Sequence, residues 1–217
     1  DYKSKIFTKN ILEVNIELFR RVLGLSIGNI RNVIYFSTGS VYKESRESLD
    51  TDSALNYESQ NPYVLSKIMA ELMFQSFFEY FESNIIVRPF YIYGPNQNKN
   101  MLFNTILHKV MNNKSVEIGK NGGLIFNPIH VYDVVHFLER IISIPSVGNK
   151  IYNFCGKEKI TLKELINKIG EMTQNEPLIV ENNSIANYAV AESNNNFIQK
   201  TSIELGLKTI IDENRHI

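Results

Sequence analysis

Two short runs, Val33-Ile34-Tyr35-Phe36 and Ile85-Ile86-Val87, are apolar or aromatic at every position. Strands of that kind need cover on both faces, the condition of an interior strand in a parallel sheet flanked by helices. Between them stands a helix-length stripe. Asn61-Pro62 opens it, proline being tolerated in a helix's first turn. Leu65, Ile68, Met69, Leu72, Met73, Phe74, Phe77, Phe78 and Phe81 then recur at helical spacing. Strand, helix and strand in that order make the chain an α/β protein.

The same periodicities extend in both directions. Ile11, Leu12, Val14, Ile16, Leu18, Phe19, Val22 and Leu23 predict a helix over 9–23, with Gly24 and Gly28 closing it. Further helices are expected over 102–111, 130–142 and 161–172, the last capped by Thr161 with Glu164 three residues on. A strand is expected over 151–154. Residues 116–118 and 124–126 read as a hairpin around Gly119-Lys120-Asn121-Gly122-Gly123. Residues 46–60 read as a polar surface loop, and the tail from Glu181 is Asn-rich with only weak patterning. Helices 9–23 and 62–81 carry more apolar surface than one sheet needs. Burial within one chain and a homodimer through these two helices both satisfy that surface.

Composition narrows the function classes. The chain has 217 residues, enough for a sizeable core, and 23 basic side chains balance 23 acidic ones. A net charge of zero argues against nucleic acid as partner and against a polybasic membrane anchor. No apolar run reaches about 18 residues, so no membrane-spanning helix is expected. The single cysteine, Cys155, excludes an internal disulfide and reads as a buried thiol. His108, His130, His136 and His216 lack ligand spacing, and no metal is expected. Lys157, Lys159 and Lys163 read as a solvated basic face. The chain opens Asp1-Tyr2-Lys3, with neither an initiator methionine nor an apolar leader, and a cytoplasmic protein is the expectation.

Chemistry concentrates around Tyr63-Val64-Leu65-Ser66-Lys67. Residues four apart share a helix face, so the Tyr63 phenol and the Lys67 ammonium are neighbours. A phenol titrates near 10, and a cation beside it favours the phenolate, which makes the two a proton-transfer pair. Among 11 tyrosines such a spacing arises easily by chance, and its weight comes from its surroundings. Ser37-Thr38-Gly39-Ser40 ends one predicted strand and Arg88-Pro89 ends the next. In open α/β sheets ligands sit at those carboxyl ends.

Taken together, these segments resemble the extended short-chain dehydrogenases/reductases, the family of NAD-dependent epimerases and dehydratases that modify nucleotide sugars. The resemblance rests on Phe36-Ser37-Thr38-Gly39-Ser40-Val41-Tyr42 and on Tyr63-x-x-Ser66-Lys67 followed by Ala70-Glu71. It continues in Arg88-Pro89-Phe90-Tyr91-Ile92-Tyr93-Gly94-Pro95 and in Asn127-Pro128-Ile129-His130-Val131-Tyr132-Asp133-Val134. Asn15 stands where the family places a helix asparagine, and Tyr152-Asn153-Phe154 resembles a late strand. The resemblance spans about residues 10–172.

It implies a partial Rossmann-type parallel sheet with helices, plus a smaller C-terminal α/β substrate-binding portion. Residues 1–95 would form the C-terminal part of the NAD(P)-binding domain. Residues 96–217 would be mainly substrate-binding, with some segments returning to the sheet. Thr38, Tyr63 and Lys67 would be catalytic. Ser37, Tyr63, Lys67 and Pro89 would hold NAD or NADP, and Thr38, Ser40 and Tyr91 would face a sugar or nucleotide sugar. The implied reaction is epimerisation or ketosugar reduction, serving polysaccharide biosynthesis.

Departures from the family's pattern refine this. Gly39-Ser40 replaces the Asp-Glu pair of dehydratases, which disfavours 4,6-dehydration. Tyr91 stands where an asparagine often contacts the diphosphate, and Phe126 where an arginine often does. No glycine-rich phosphate loop of the G-x-G-x-x-G kind occurs, so the strands that carry it would lie upstream of residue 1. The strand at 33–36 would then lack a neighbour and expose an apolar edge. The alternative function is a truncated, inactive family member acting as a binding or dimerisation module.

Overall fold

The computed structural model describes residues 11, 13–193 and 199–215 of the chain. Its main layer is a three-stranded parallel sheet in the order β1 (Asn32–Phe36), β2 (Ser83–Pro89) and β7 (Gly148–Phe154). β2 lies in the middle and is buried from Ser83 to Arg88. Its successive side chains alternate between two cores, as a strand's period of two requires. Ile86 faces Leu23, Tyr35 and Phe74 beneath α1 (Leu18–Ser26) and α2 (Pro62–Gln75). Ile85 and Val87 face Val134, Phe137 and Ile141 of α4 (Val131–Ile142). β1 has one strand partner among the described residues, and Phe36 at its end is 39% exposed. Among the described residues β1 is the edge strand of this sheet.

A second core gathers residues from Tyr93 onward. α3 (Leu102–Met111), α5 (Leu162–Thr173) and α6 (Ile203–Arg215) surround Phe103, Phe126, Leu165, Ile169, Leu207 and Ile210. Two short parallel pairs contribute, β3 (Ile92–Tyr93) with β6 (Ile129–His130) and β4 (Val116–Ile118) with β9 (Ile179–Glu181). A small mixed sheet joins β5 (Ile125–Phe126) to β10 (Tyr188–Ala189) in parallel and to β8 (Ile160–Thr161) antiparallel. Between these segments the chain returns through α4 and β7 to the first sheet. Among the described residues no helix is long and apolar enough to cross a membrane.

The boundaries of β1, α3 and α4 follow the sequence pattern, whereas β7 starts at Gly148, three residues before the strand expected from Ile151. At α5 the capping box is complete, with Glu164 N donating to Thr161 Oγ1 at 3.1 Å and Thr161 N to Glu164 Oε2 at 2.7 Å. Elsewhere the pattern misleads. Part of the helix expected over 9–23 (residues 9, 10 and 12) lies outside the described residues. The next stretch, Glu13–Glu17, is a π-helical turn. α1 then passes through Gly24 to Ser26, and Gly28, at φ +77°, makes the turn. α2 stops at Gln75 rather than near Phe81. The Asn84 amide donates to the carbonyls of Phe78 (2.9 Å) and Phe81 (3.2 Å), which holds 78–80 in a 3-10 turn.

The expected hairpin of 116–118 with 124–126 does not form. Each strand instead pairs with a segment of the tail, β4 with β9 and β5 with β10. The tail is therefore structural, and α6 buries Ile203, Leu207, Ile210 and Ile211.

One buried ion pair joins the first sheet to its helices. Glu71 of α2 receives Arg88 of β2 through two bonds, Nη2 to Oε2 at 2.7 Å and Nε to Oε1 at 3.1 Å. Both side chains are buried, 0% and 3% exposed. Arg88 Nη1 also donates to Tyr42 Oη (2.8 Å) and to the Thr51 carbonyl (3.2 Å). Tyr42 Oη donates onward to Asn153 Oδ1 on β7 at 2.7 Å, and the Asn153 amide donates to Leu49 O at 3.3 Å. Helix, two strands and the long 42–61 loop thus share one network.

Two stability predictions follow from this packing. Glu71→Gln leaves the Arg88 cation without a counter-charge and is expected to cost about 3–5 kcal/mol, while replacing both residues with methionine costs less. Urea unfolding of the parent and the two variants orders them; equal losses would deny the pair its electrostatic character. Leu207→Ala is expected to lose about 2–5 kcal/mol in a single cooperative transition, because α6 belongs to the second core. An unchanged unfolding midpoint would show α6 to be dispensable.

Candidate active site

α2 begins at the carboxyl end of the first sheet. The Asn61 side chain caps it by accepting from Tyr63 N at 3.0 Å, and Pro62 occupies the first turn. Tyr63 is thereby fixed in the opening turn with Lys67 one turn later. Lys67 Nζ donates to the Phe36 carbonyl at the end of β1 (2.8 Å) and lies 5.9 Å from the centroid of the Tyr63 ring. Burial draws the Lys67 pKa below the ordinary lysine value, and the Glu71 carboxylate one turn on opposes that shift. Between tyrosine and lysine, Ser66 Oγ donates to the Tyr63 carbonyl (2.8 Å) and accepts from Asn15 Nδ2 (2.9 Å). Asn15 stands in the π-helical turn, a local distortion common near functional sites.

The end of β1 supplies the remaining groups. Ser37 N donates to Val87 O at 2.8 Å, while its Oγ is buried without a partner among the described residues. Thr38 caps the 3-10 turn Gly39–Val41, its Oγ1 accepting from Ser40 N at 3.2 Å, and α2 packs on that turn. Gly39 lies under the Phe90 ring. A Cβ at residue 39 would sit 2.6 Å from Phe90 Cε2, so any larger residue collides with a buried aromatic ring. Pro89 closes β2 on the same side, and the next residue's N–H is bonded to Phe154 O (2.8 Å). Ser37, Thr38, Ser40, Tyr63, Lys67 and Pro89 are therefore gathered at one end of one sheet.

Tyr91 belongs to the rim of the second core. Its backbone is in the left-handed region (φ +45°), costing a non-glycine residue about 1–3 kcal/mol. Its ring, 38% exposed, lies 4.9 Å from that of Phe126. Phe126 itself is fully buried and offers no place for a charged group. His130 Nδ1 caps α4 by accepting from Tyr132 N (3.3 Å), a structural task. Cys155 is buried, donates to Ala191 O (3.3 Å) and has its thiol pushed up to about 12 by burial, so it is inert near neutrality. Lys163 of the basic face pairs with Glu181 at 3.1 Å.

Sequence reasoning missed two contributors. One is the Glu71–Arg88 pair. Its signal was a carboxylate inside the apolar stripe of α2 and a guanidinium ending a buried strand, two charges that a core cannot hold unpaired. The other is Tyr35, whose ring centroid lies 5.0 Å from Lys67 Nζ. A tyrosine in an apolar run carries no signal of that contact.

A phenol, an ammonium and a hydroxyl at a strand's carboxyl end can move a proton on and off a bound oxygen. The NAD dependent epimerase/dehydratase family matches residues 4–155. The dTDP-D-glucose 4,6-dehydratase of Dictyostelium discoideum is 28% identical over 151 residues, covering 64% of this chain and 35% of that protein. An uncharacterized UDP-glucose epimerase of Bacillus subtilis (YtcB) is 22% identical, over 73% of this chain and 50% of its own length. The chain thus spans between a third and a half of these curated relatives.

Among solved structures, UDP-glucuronic acid 4-epimerase from Bacillus cereus in complex with NAD superposes with a TM-score of 0.84. It is 18% identical, with 97% of this chain and 71% of that chain covered. MoeE5 in complex with UDP-glucuronic acid and NAD gives a TM-score of 0.83 at 22% identity, covering 94% and 72%. These likenesses carry the Rossmann-type fold. With the family matched over well more than half of its length, the chain belongs to the NAD dependent epimerase/dehydratase family.

Proposed function

We propose that this chain is the catalytic and substrate-facing portion of an NAD- or NADP-dependent epimerase or ketosugar reductase that acts on a sugar or nucleotide sugar. The observation that carries the reading is the Tyr63–Lys67 pair, held on the end of β1 by the bond from Lys67 Nζ to Phe36 O at 2.8 Å. Tyr63 takes the proton from a sugar hydroxyl, or returns one to a carbonyl oxygen. The Lys67 ammonium favours the phenolate form that does so. The Thr38 hydroxyl orients the same oxygen, and Ser40 and Tyr91 face the substrate.

The donor set suits a nicotinamide nucleoside. Ser37 Oγ is a buried hydroxyl without a partner among the described residues, and the Lys67 ammonium donates to a single carbonyl there. Ser37, Lys67 and Pro89 would hold the ribose and carboxamide, with Tyr63 beside them. The dinucleotide, when bound, supplies hydride acceptance and donation at the sugar carbon. In this reading 1–95 is the later part of the dinucleotide-binding domain and 96–217 serves mainly the substrate. A cytoplasmic setting accords with the single buried thiol of Cys155.

Gly39 weighs against water elimination. A second acid directly after Thr38 has no room while the Phe90 ring fills the space. Epimerisation and ketone reduction need only the proton shuttle that Tyr63 provides.

A homodimer is part of the proposal. Val14, Leu18, Val22 and Leu25 on the first helical segment, and Met69 and Leu72 on α2, are exposed, Leu25 at 80%. Adjacent helices with such faces suit pairing with a second copy.

Two experiments address these points. In the full-length protein, Tyr63→Phe is expected to lower turnover of UDP-sugars or reduction of ketosugars by about 10²–10⁴-fold, with the fold retained. Undiminished turnover would remove Tyr63 from the chemistry. Light scattering on the parent is expected to give a dimer mass, and Leu18→Glu with Leu72→Glu a monomer. A parent of monomer mass would reject the dimer without touching the catalytic reading.

A further inference from the structure

We propose that Tyr35 is a positioning residue for Lys67, the face of its ring holding the ammonium at the end of β1 as a cation. The inference rests on the reading of Lys67 as the cation that serves Tyr63. Its own support is geometric. Lys67 Nζ sits 5.0 Å from the Tyr35 ring centroid while donating to the carbonyl of the next residue, Phe36, at 2.8 Å. One residue thus offers its ring and the following one its carbonyl to the same ammonium. At 5.0 Å the nitrogen lies within the range in which a ring's negative face attracts a cation.

The ring cannot turn away. Tyr35 is 8% exposed, and Phe19 stacks on it with centroids 4.4 Å apart and planes 17° from parallel. Phe74 of α2 closes a further side at 6.2 Å. Strand pairing fixes the backbone, with Tyr35 opposite Ile86 of β2. The aromatic face is therefore a permanent part of the Lys67 environment.

The ammonium needs such a partner. Lys67 is partly buried and forms no ion pair among the described residues. On α2, the Glu71 carboxylate is bound through both oxygens to Arg88 of β2, whose positive charge offsets its field. Tyr63, also on α2, presents its ring to the same ammonium, but at the longer distance of 5.9 Å. On β1, Tyr35 itself is neutral. Burial, with Glu71 and Tyr63 nearby, pushes its phenol upward, and its hydroxyl has no partner among the described residues. On α1 the residue nearest this cluster is Phe19, which is apolar. Besides the more distant Tyr63 ring, the closest attractions are those of the Tyr35 face at 5.0 Å and the Phe36 carbonyl at 2.8 Å, both of which favour the charged amine over the neutral one. Loss of the ring would lower the lysine's pKa and free its head to move, and Tyr63 would lose the cation beside it.

The test reads Lys67 directly in the 217-residue chain, without cofactor or substrate. The ¹³Cε resonance of labelled lysine is titrated and assigned with Lys67→Arg. Tyr35→Phe is expected to leave the Lys67 midpoint unchanged, because the ring face is kept. Tyr35→Leu is expected to lower it by about half a unit to one unit. Pentafluorophenylalanine at position 35, which keeps the ring's shape and removes its negative face, is expected to lower it by a similar amount. That variant decides the matter should Tyr35→Leu fail to fold. An unchanged midpoint with the fluorinated ring overturns the proposal, as does a Tyr35→Phe midpoint as low as that of Tyr35→Leu, which would assign the effect to the hydroxyl. Because no turnover is measured, failure of the sugar-chemistry reading and failure of this inference are separately visible.

Discussion

The contact between Arg88 and Glu71 joins a strand to the helix that crosses over it at a point where water is excluded from both. Removing two charges from water costs several kcal/mol for each ion, and only close, doubly bonded geometry offsets that cost. The structure meets the condition with bonds of 2.7 and 3.1 Å and with two further acceptors for the guanidinium. The consequence is directional. A hydrophobic contact tolerates sliding, whereas a forked pair fixes both the rotation of α2 about its axis and its height above the sheet. Lys67 stands one turn before Glu71, and Tyr63 one turn before that, so the pair sets where both point.

The same pair explains how a lysine can work beside a carboxylate. Glu71 is close enough to Lys67 to raise its proton affinity, but its oxygens are already engaged by Arg88. The ammonium is left to the strand end rather than drawn down into a salt bridge. Its position is set by backbone and ring, groups that do not titrate near neutrality. Thr38 caps the turn on one side of it, and Asn15 braces Ser66 on the other.

Legibility in the sequence followed the range of the interactions involved. Segments whose structure is set by their own periodicity, such as β1, β2 and α3, were readable within a residue or two. The capping box at Thr161 was readable because it is complete within four residues. The tail was not, because β9 and β10 find their partners some sixty residues upstream and their short runs look like loop. The end of α2 was misread for a related reason. Its apolar spacing continues to Phe81, but the chain leaves the helix after Gln75 and Asn84, outside the pattern, ties down the carbonyls of Phe78 and Phe81 in the 3-10 turn that follows. At the site, residue types were legible through the resemblance, whereas the supporting contacts were not. Tyr35 and Glu71 have ordinary places in ordinary patterns, and only their neighbours in space give them a task.

The interlock of Gly39 with Phe90 constrains the ways this scaffold can change. A side chain added at 39 meets a ring that has nowhere to go, and a ring removed at 90 leaves a cavity beneath a bare glycine. Neither change is neutral alone, so a side chain at 39 is accommodated only when residue 90 gives way with it. Position 39 follows Thr38 directly, so the Phe90 ring governs which side chains can stand beside that hydroxyl.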